Sequence, residues 1–141
     1  MQDLVSIITP TYNSADFIAD TIECILAQTY QNWELLITDD CSSDNTVEIV
    51  LSYAQKDKRI RLFRLETNLG GGVSRNNSIK EANGRYIAFC DSDDRWTKNK
   101  LEVQVAFMKE KDTAFSYGSY MLCDEDDKDC LLYTSPSPRD A

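Results

Sequence analysis

Two short apolar runs in this chain end in clusters of aspartate, and that pattern narrows the possible folds to a few. Trp33-Glu34-Leu35-Leu36-Ile37-Thr38 leads into Asp39-Asp40, and Arg85-Tyr86-Ile87-Ala88-Phe89-Cys90 leads into Asp91-Ser92-Asp93-Asp94. Runs this short and this rich in branched and aromatic residues read as buried strands. A carboxylate at the end of a buried strand is costly unless its charge is compensated. In an open α/β sheet, the crevice beyond the carboxyl ends of the strands is also where ligands sit. Two acidic strand ends at one edge therefore point to a metal ion and to a ligand carrying hydrogen-bond donors or phosphates.

The segments between these runs have helical periods, so strands and helices alternate. Leu4–Thr9 is a first strand, stopped by Pro10. Asn13 or Ser14 is placed to cap a helix with Phe17, Ile18, Ile22, Ile25 and Leu26 on one face. After the strand Trp33–Thr38, Asn45 and Glu48 have capping-box spacing, and Val47, Val50, Leu51 and Ala54 form an apolar stripe. A third strand covers Ile60–Leu65. Gly70-Gly71-Gly72 opens a helix with Val73, Ile79 and Ala82, closed by Asn83-Gly84. A fourth strand covers Tyr86–Cys90, and Thr97 is placed to cap a helix with Leu101, Val105 and Met108 inward. Ala114–Met121 reads as a fifth strand. Such alternation with short connections predicts an α/β fold: a doubly wound, mostly parallel sheet with right-handed crossovers and flanking helices.

The chain has 141 residues, enough for about one domain, and 42% of them are hydrophobic, enough for one core. It contains no histidine, which excludes His-based zinc sites and Ser-His or Cys-His dyads. Its five cysteines form no C-x-x-C pair and read as free thiols of a cytoplasmic protein. No apolar run approaches the roughly 20 residues of a membrane span, and no basic signal region opens the chain. The net charge of -9 repels a phosphate backbone, so nucleic acid is not an expected partner. The acidic run Asp124–Asp129 reads as a solvated loop.

The domain is expected to cover residues 1–129. Residues 130–141, Cys130-Leu131-Leu132-Tyr133-Thr134-Ser135-Pro136-Ser137-Pro138-Arg139-Asp140-Ala141, have no helical or strand period. They resemble a translated sequencing adaptor, so they are expected to be foreign to the natural protein, which would then be truncated here.

Asp91 and Asp93 flank one residue, so in an extended segment both side chains point the same way. Two carboxylates about 4 Å apart repel by about 4 kcal/mol at an effective dielectric near 20. A divalent cation removes that cost, and all-oxygen ligands suit Mg²⁺ or Mn²⁺. A loop of helix-capping acids accounts for the same letters. Asp40 can accept from an N–H such as the imide of uracil, with Tyr12 as an aromatic wall, although Asp40–Asp44 is also good turn sequence. Gly70–Arg75 matches neither the P-loop nor the dinucleotide fingerprint. It can still bring backbone N–H groups and Arg75 to a phosphate at a helix N-terminus.

Taken in order, these segments resemble family 2 glycosyltransferases, which have the GT-A fold. Val5-Ser6-Ile7-Ile8-Thr9-Pro10-Thr11-Tyr12-Asn13 looks like the family's opening strand, and Asp39–Thr46 is similar to its D-D-x-S-x-D-x-T segment. Asn68-Leu69-Gly70 and Ser74-Arg75-Asn76 resemble its N-x-G and A-R-N segments. Gly84–Asp94 looks like its G-x-Y-I-x-F-L-D-x-D-D block, with Cys41 and Cys90 where Gly and Leu are commoner.

The resemblance implies a nucleotide-diphosphate sugar donor, of UDP type. Pro10 and Tyr12 would line the base pocket, and Asp40 would accept from the base. Arg75 would reach the nucleoside or diphosphate, Asp91 would contact ribose or metal, and Asp93 would ligate Mg²⁺ or Mn²⁺. It further implies inverting transfer to a glycan or lipid-linked acceptor for surface polysaccharide, in the cytoplasm or peripherally at the inner face of the cell membrane. The catalytic base is expected beyond the end of this chain, which by itself is then expected not to transfer sugar. Two alternatives share the sheet architecture. A receiver-like Mg²⁺-binding signalling domain expects its acidic pair after the first strand, where this chain has Pro10–Asn13. A sugar nucleotidyltransferase expects a glycine- and arginine-rich loop there.

Overall fold

The computed structural model describes residues 2–111, with the backbone of 119–122 and 131–134. The chain divides into two compact units, Met1–Lys98 and Asn99–Ala141. In the first unit the elements run β1 (Val5–Thr11), α1 (Ile18–Leu26), β2 (Trp33–Asp39), α2 (Thr46–Lys56), β3 (Ile60–Arg64), α3 (Gly71–Lys80) and β4 (Tyr86–Phe89). The four strands form one sheet in the order β3-β2-β1-β4, and every neighbouring pair is parallel. The chain moves outward from β1 to β3, then returns across the sheet to place β4 on the other side of β1. Right-handed crossovers accordingly put α1 and α2 on one face and α3 on the other. Consistent with this, α1 packs on α2 while α3 lies over β1 and β2. This is the expected doubly wound arrangement.

The central strands are buried on both faces, which is why they read as continuous apolar runs rather than as alternating ones. Val5, Ile7, Ile8, Leu35, Leu36 and Ile37 are all inaccessible, and Ile18, Ile22 and Ile25 of α1 complete the core. Pro10 does not stop β1, as the sequence had suggested, but pairs with Thr38 inside it. The carbonyl of Ile8 accepts from Cys90 N, and that of Thr11 accepts from Asp40 N. Even-numbered residues of β1 therefore turn their backbone groups towards β4. The donor that Pro10 lacks belongs on that side, past the last residue of β4, where no ladder bond is lost.

Other local expectations are corrected by packing. Phe17 precedes α1 in a turn whose N–H bonds to Ser14 O, so it leaves the helical face and is 51% exposed. Neither Asn13 nor Ser14 caps α1 through its side chain, and Asn45 stands at the N-cap of α2 but makes no side-chain cap bond there. Asp44 serves there instead, accepting from Thr46 N and Thr46 Oγ1. Those bonds hold its carboxyl below the usual carboxylate value, with the Thr46 hydroxyl the largest cause. Leu51 and Val73 are exposed rather than on their helices' inner faces.

The buried face of α3 is made of Ser74 and Ser78, not of its aliphatic residues. Ser78 Oγ lies 2.7 Å from Thr38 Oγ1 and donates to Leu36 O at 3.1 Å. Small hydroxyl residues let the helix settle directly on the sheet. Gly84 is not a helix cap, since α3 ends at Lys80 with Glu81 as its cap. Its role is close approach, because a Cβ there would lie 2.6 Å from Ser6 Oγ and 2.8 Å from Leu4 O.

In the second unit, α4 covers Lys100–Lys111 and starts three residues after Thr97. Leu101 and Val105 are buried as expected. The expected fifth strand is observed as β5 (Ser119–Leu122), while Ala114–Gly118 lie outside the described residues. β5 pairs antiparallel with β6 (Leu131–Thr134) in a separate two-stranded sheet. The segment expected to form no element thus contributes a strand: Leu131-Leu132-Tyr133-Thr134 has strand-forming residues, although four residues are too few to display a period. Among the described residues, no helix is long and apolar enough to cross a membrane.

Candidate functional site

A cavity of about 400 Å³ opens beyond the carboxyl ends of β1, β2 and β4. It lies where strand order reverses between β1 and β4, the usual ligand crevice of an open α/β sheet. All six residues singled out from the sequence line it. Pro10 and Tyr12 come from the end of β1, Asp40 follows β2, Arg75 projects from the first turns of α3, and Asp91 and Asp93 follow β4. Four segments far apart in sequence converge because each one ends a parallel strand or begins a helix at the same edge of the sheet.

Asp39, the last residue of β2, and Asp40, which follows it, separate by the alternation of a strand. Asp39 shares its face with Thr11 and accepts from Thr11 Oγ1 at 3.0 Å, from Ser42 N at 2.9 Å and from Ser42 Oγ at 2.5 Å. It is 1% exposed and pins the following loop. Asp40 points the other way, towards α3. Its two oxygens accept from Leu69 N at 2.7 Å and Gly70 N at 2.9 Å, and it is 4% exposed. Gly70, the N-cap of α3, has φ of +97°, which an L side chain rarely adopts. The carboxylate thus fixes the entry to α3 and sits favourably near the positive end of that helix. Each of its oxygens retains a second lone pair for a ligand.

Across the cavity, Arg75 Nη2 donates to Asp91 Oδ1 at 3.2 Å, an ion pair with both side chains well exposed. The loop after β4 is a tight turn: Asp94 N donates to Asp91 O, and Asp91 N donates to Asp94 Oδ2, each at 3.0 Å. Asp93 is exposed at the rim. Among the described residues, no group of three or more His, Cys, Asp or Glu side chains forms a metal cage. Two carboxylates on one rim instead suit a hard cation that keeps waters and takes further oxygens from a diphosphate, so the donor set fits Mg²⁺ or Mn²⁺ in an open site.

Sequence reasoning passed over other lining residues: Ser14, Phe17, Ser74 and Ser92. Phe17 was assigned to the core of α1 but adds a second aromatic group beside Tyr12. Hydroxyls such as those of Ser14 and Ser92 carry no distinctive spacing, so only the fold reveals them.

The family model for "Glycosyl transferase family 2" matches residues 6–138. The chain belongs to that family. Among its family 2 relatives, TuaG of Bacillus subtilis, a glycosyltransferase assigned to teichuronic acid biosynthesis, is 49% identical over 123 residues, covering 87% of this chain and 49% of TuaG. WfgD of Escherichia coli, named a UDP-Glc:α-D-GlcNAc-diphosphoundecaprenol β-1,3-glucosyltransferase, is 49% identical over 119 residues, covering 84% of the chain and 46% of WfgD. This family 2 chain therefore spans about half the length of the curated relatives it matches. Residues 1–349 of Staphylococcus aureus TarS, solved with UDP, superpose with a TM-score of 0.72 at 35% identity, covering 84% of this chain and 34% of that one. The four parallel strands with flanking helices are those of the GT-A glycosyltransferases.

Proposed function

We propose that this chain is the donor-binding part of an inverting, divalent-metal-dependent glycosyltransferase that uses a UDP-type sugar and a glycan or lipid-linked acceptor. The observation that carries the reading is the convergence of Pro10, Tyr12, Asp40, Arg75, Asp91 and Asp93 on one cavity at the switch point of the sheet. The TarS structures with UDP and with UDP-GlcNAc, and the donor and acceptor in the name of WfgD, support the choice of substrates.

In this reading the nucleobase lies against Tyr12 and Pro10, and its imide N–H donates to the free lone pair of Asp40. Arg75 exchanges its exposed contact with Asp91 for a diphosphate oxygen, to which its planar fork is better matched. Asp91 meets the ribose or the cation. Asp91 and Asp93 would hold Mg²⁺ or Mn²⁺, which supplies charge stabilisation to the departing diphosphate. An acceptor hydroxyl gives its proton to a carboxylate base and bonds to the anomeric carbon as the nucleoside diphosphate leaves from the opposite face, inverting the configuration. The full-length protein works at the cytoplasmic side of the cell envelope, associated with the membrane peripherally.

Calorimetry with a panel of nucleoside diphosphates, each with Mn²⁺ and with chelator, tests the reading. The expected result is preference for UDP and an affinity that falls on chelation. Asp93→Ala should remove the metal dependence and Asp40→Ala the nucleoside affinity. Equal affinity for all nucleotides, unchanged by chelator and by both substitutions, would sink it.

A further inference from the structure

Besides the Asp91–Asp94 bonds that close its turn, the acidic loop is held from behind by α1. Asp91 and Asp93 face the cavity with like charges, while the carbonyls of Ser92 and Asp94 face inward to α1. Thr21, in the first turn of that helix, is 1% exposed. Its Oγ1 lies 2.9 Å from Ser92 O and 2.8 Å from Asp94 O. A hydroxyl carries one proton, so both carbonyls of the turn share a single donor, and the loop is curled round this one oxygen.

A hydroxyl at this position needs a reason. The other buried positions of α1 are Ile18, Ile22 and Ile25, and valine would fill the same volume as threonine without bringing a polar group into the core. The only protein atoms that the Thr21 hydroxyl meets in the hydrogen bonds described are those two loop carbonyls. Ser92 is held from a second side as well, its Oγ 2.7 Å from Ser14 Oγ. Ser14 Oγ also donates to Tyr12 O at 3.3 Å, so the aromatic wall and the acidic loop share an anchor.

We infer that Thr21 is a positioning residue: by gripping the inner side of residues 92–94 it aims the carboxylates of Asp91 and Asp93 at one point in the cavity before any cation arrives. The inference rests on the metal-dependent donor site proposed above. Partners that orient metal ligands from behind commonly change metal affinity by about 10- to 100-fold when lost. Thr21 touches neither the base nor the phosphates, so its loss should act on the metal-linked part of binding alone.

The test is UDP affinity of the 141-residue chain by calorimetry, with Mn²⁺ and with chelator, alongside Mn²⁺ binding followed by electron paramagnetic resonance. Thr21→Val should lower the gain in affinity that Mn²⁺ confers by about tenfold or more, while affinity in chelator stays within about twofold of wild type. Thr21→Ser, which keeps the hydroxyl, should restore the gain. Thr21→Ala, which removes it without a β-branch in the helix, gives the same reading should the valine variant fold poorly. An unchanged Mn²⁺ gain in the valine and alanine variants overturns the assignment. So does a parallel fall of both affinities, the mark of a merely structural role. A wild-type chain indifferent to Mn²⁺ would overturn the metal-site reading itself, and the positioning role with it.

Discussion

Removing the Asp40 carboxylate should damage the fold and the nucleoside site together, and the structure sets the size of the first effect. Asp40 accepts two backbone N–H groups, from Leu69 and Gly70, while almost wholly buried. Hydrogen bonds to a charged group contribute about 1.5–3 kcal/mol each, which sets about 3 kcal/mol as the low estimate for losing both. Water recovers part of this, because Leu69 is 55% exposed and its freed N–H can be solvated. Loss of a negative charge beside the N-terminus of α3 adds about 0.5 kcal/mol in the other direction. Asp40→Ala should therefore destabilise the chain by about 2 kcal/mol, a urea midpoint shift of about 1 M for a slope near 2 kcal/mol/M. Trp33, 1% exposed on β2, supplies a fluorescence probe of that transition. Asp40→Asn should cost nearly as much, since its amide NH₂ would face one of the two N–H donors. Nucleotide titration of the folded variant then isolates the nucleoside contact. An alanine variant whose urea midpoint moves by less than about 0.2 M would refute the role of Asp40 in holding the entry to α3.

Gly84→Ala should cost about 1–3 kcal/mol in a thermal melt, because its Cβ would meet Ser6 Oγ, Ser6 N and Leu4 O at 2.6, 2.7 and 2.8 Å; an unshifted transition would mean that β4 can move away freely. Arg75→Gln should leave stability within about 0.5 kcal/mol, as expected for an exposed pair, yet weaken UDP more than uridine in calorimetry; equal losses for the two ligands would detach Arg75 from the phosphates. Asp57 accepts a bidentate contact from Arg59, and that hydrogen bonding holds its carboxyl below the usual carboxylate value. Its contribution to stability is accordingly present above about pH 4 and lost as pH falls through the lowered folded value; urea midpoints measured down the acid limb should converge for wild type and Asp57→Asn, and a constant gap would contradict the linkage. Removing residues 130–141 should leave UDP affinity unchanged, because every residue lining the cavity lies between Pro10 and Asp93; a weakened titration would tie the segment to the site.

Strand positions and the six candidate site residues were legible in the sequence because both are local. A parallel strand is a short apolar run, and whatever follows it emerges at one edge of the sheet; β2 is buried on both faces as its run suggests, whereas β4, also read as a buried strand, leaves Ile87 and Phe89 exposed. Asp40, Asp91 and Asp93 could thus be placed together from strand endings alone. Local chemistry did not extend to the contacts made across the sheet. Pro10 stays within β1 only because β4 ends before it, which depends on strand order. Phe17 leaves the core because its turn is closed by Ser14, and α3 packs through Ser74 and Ser78 because the sheet beneath offers Thr38 and Leu36 O. Which aspartate of the Asp39-Asp40 pair faces the cavity, and that Thr21 grips the acidic loop from 71 residues away, are likewise decided by tertiary structure. Hydrophobic periodicity records which face of an element is buried. A hydroxyl or a carboxylate in the interior takes its meaning from the partner that the fold brings to it.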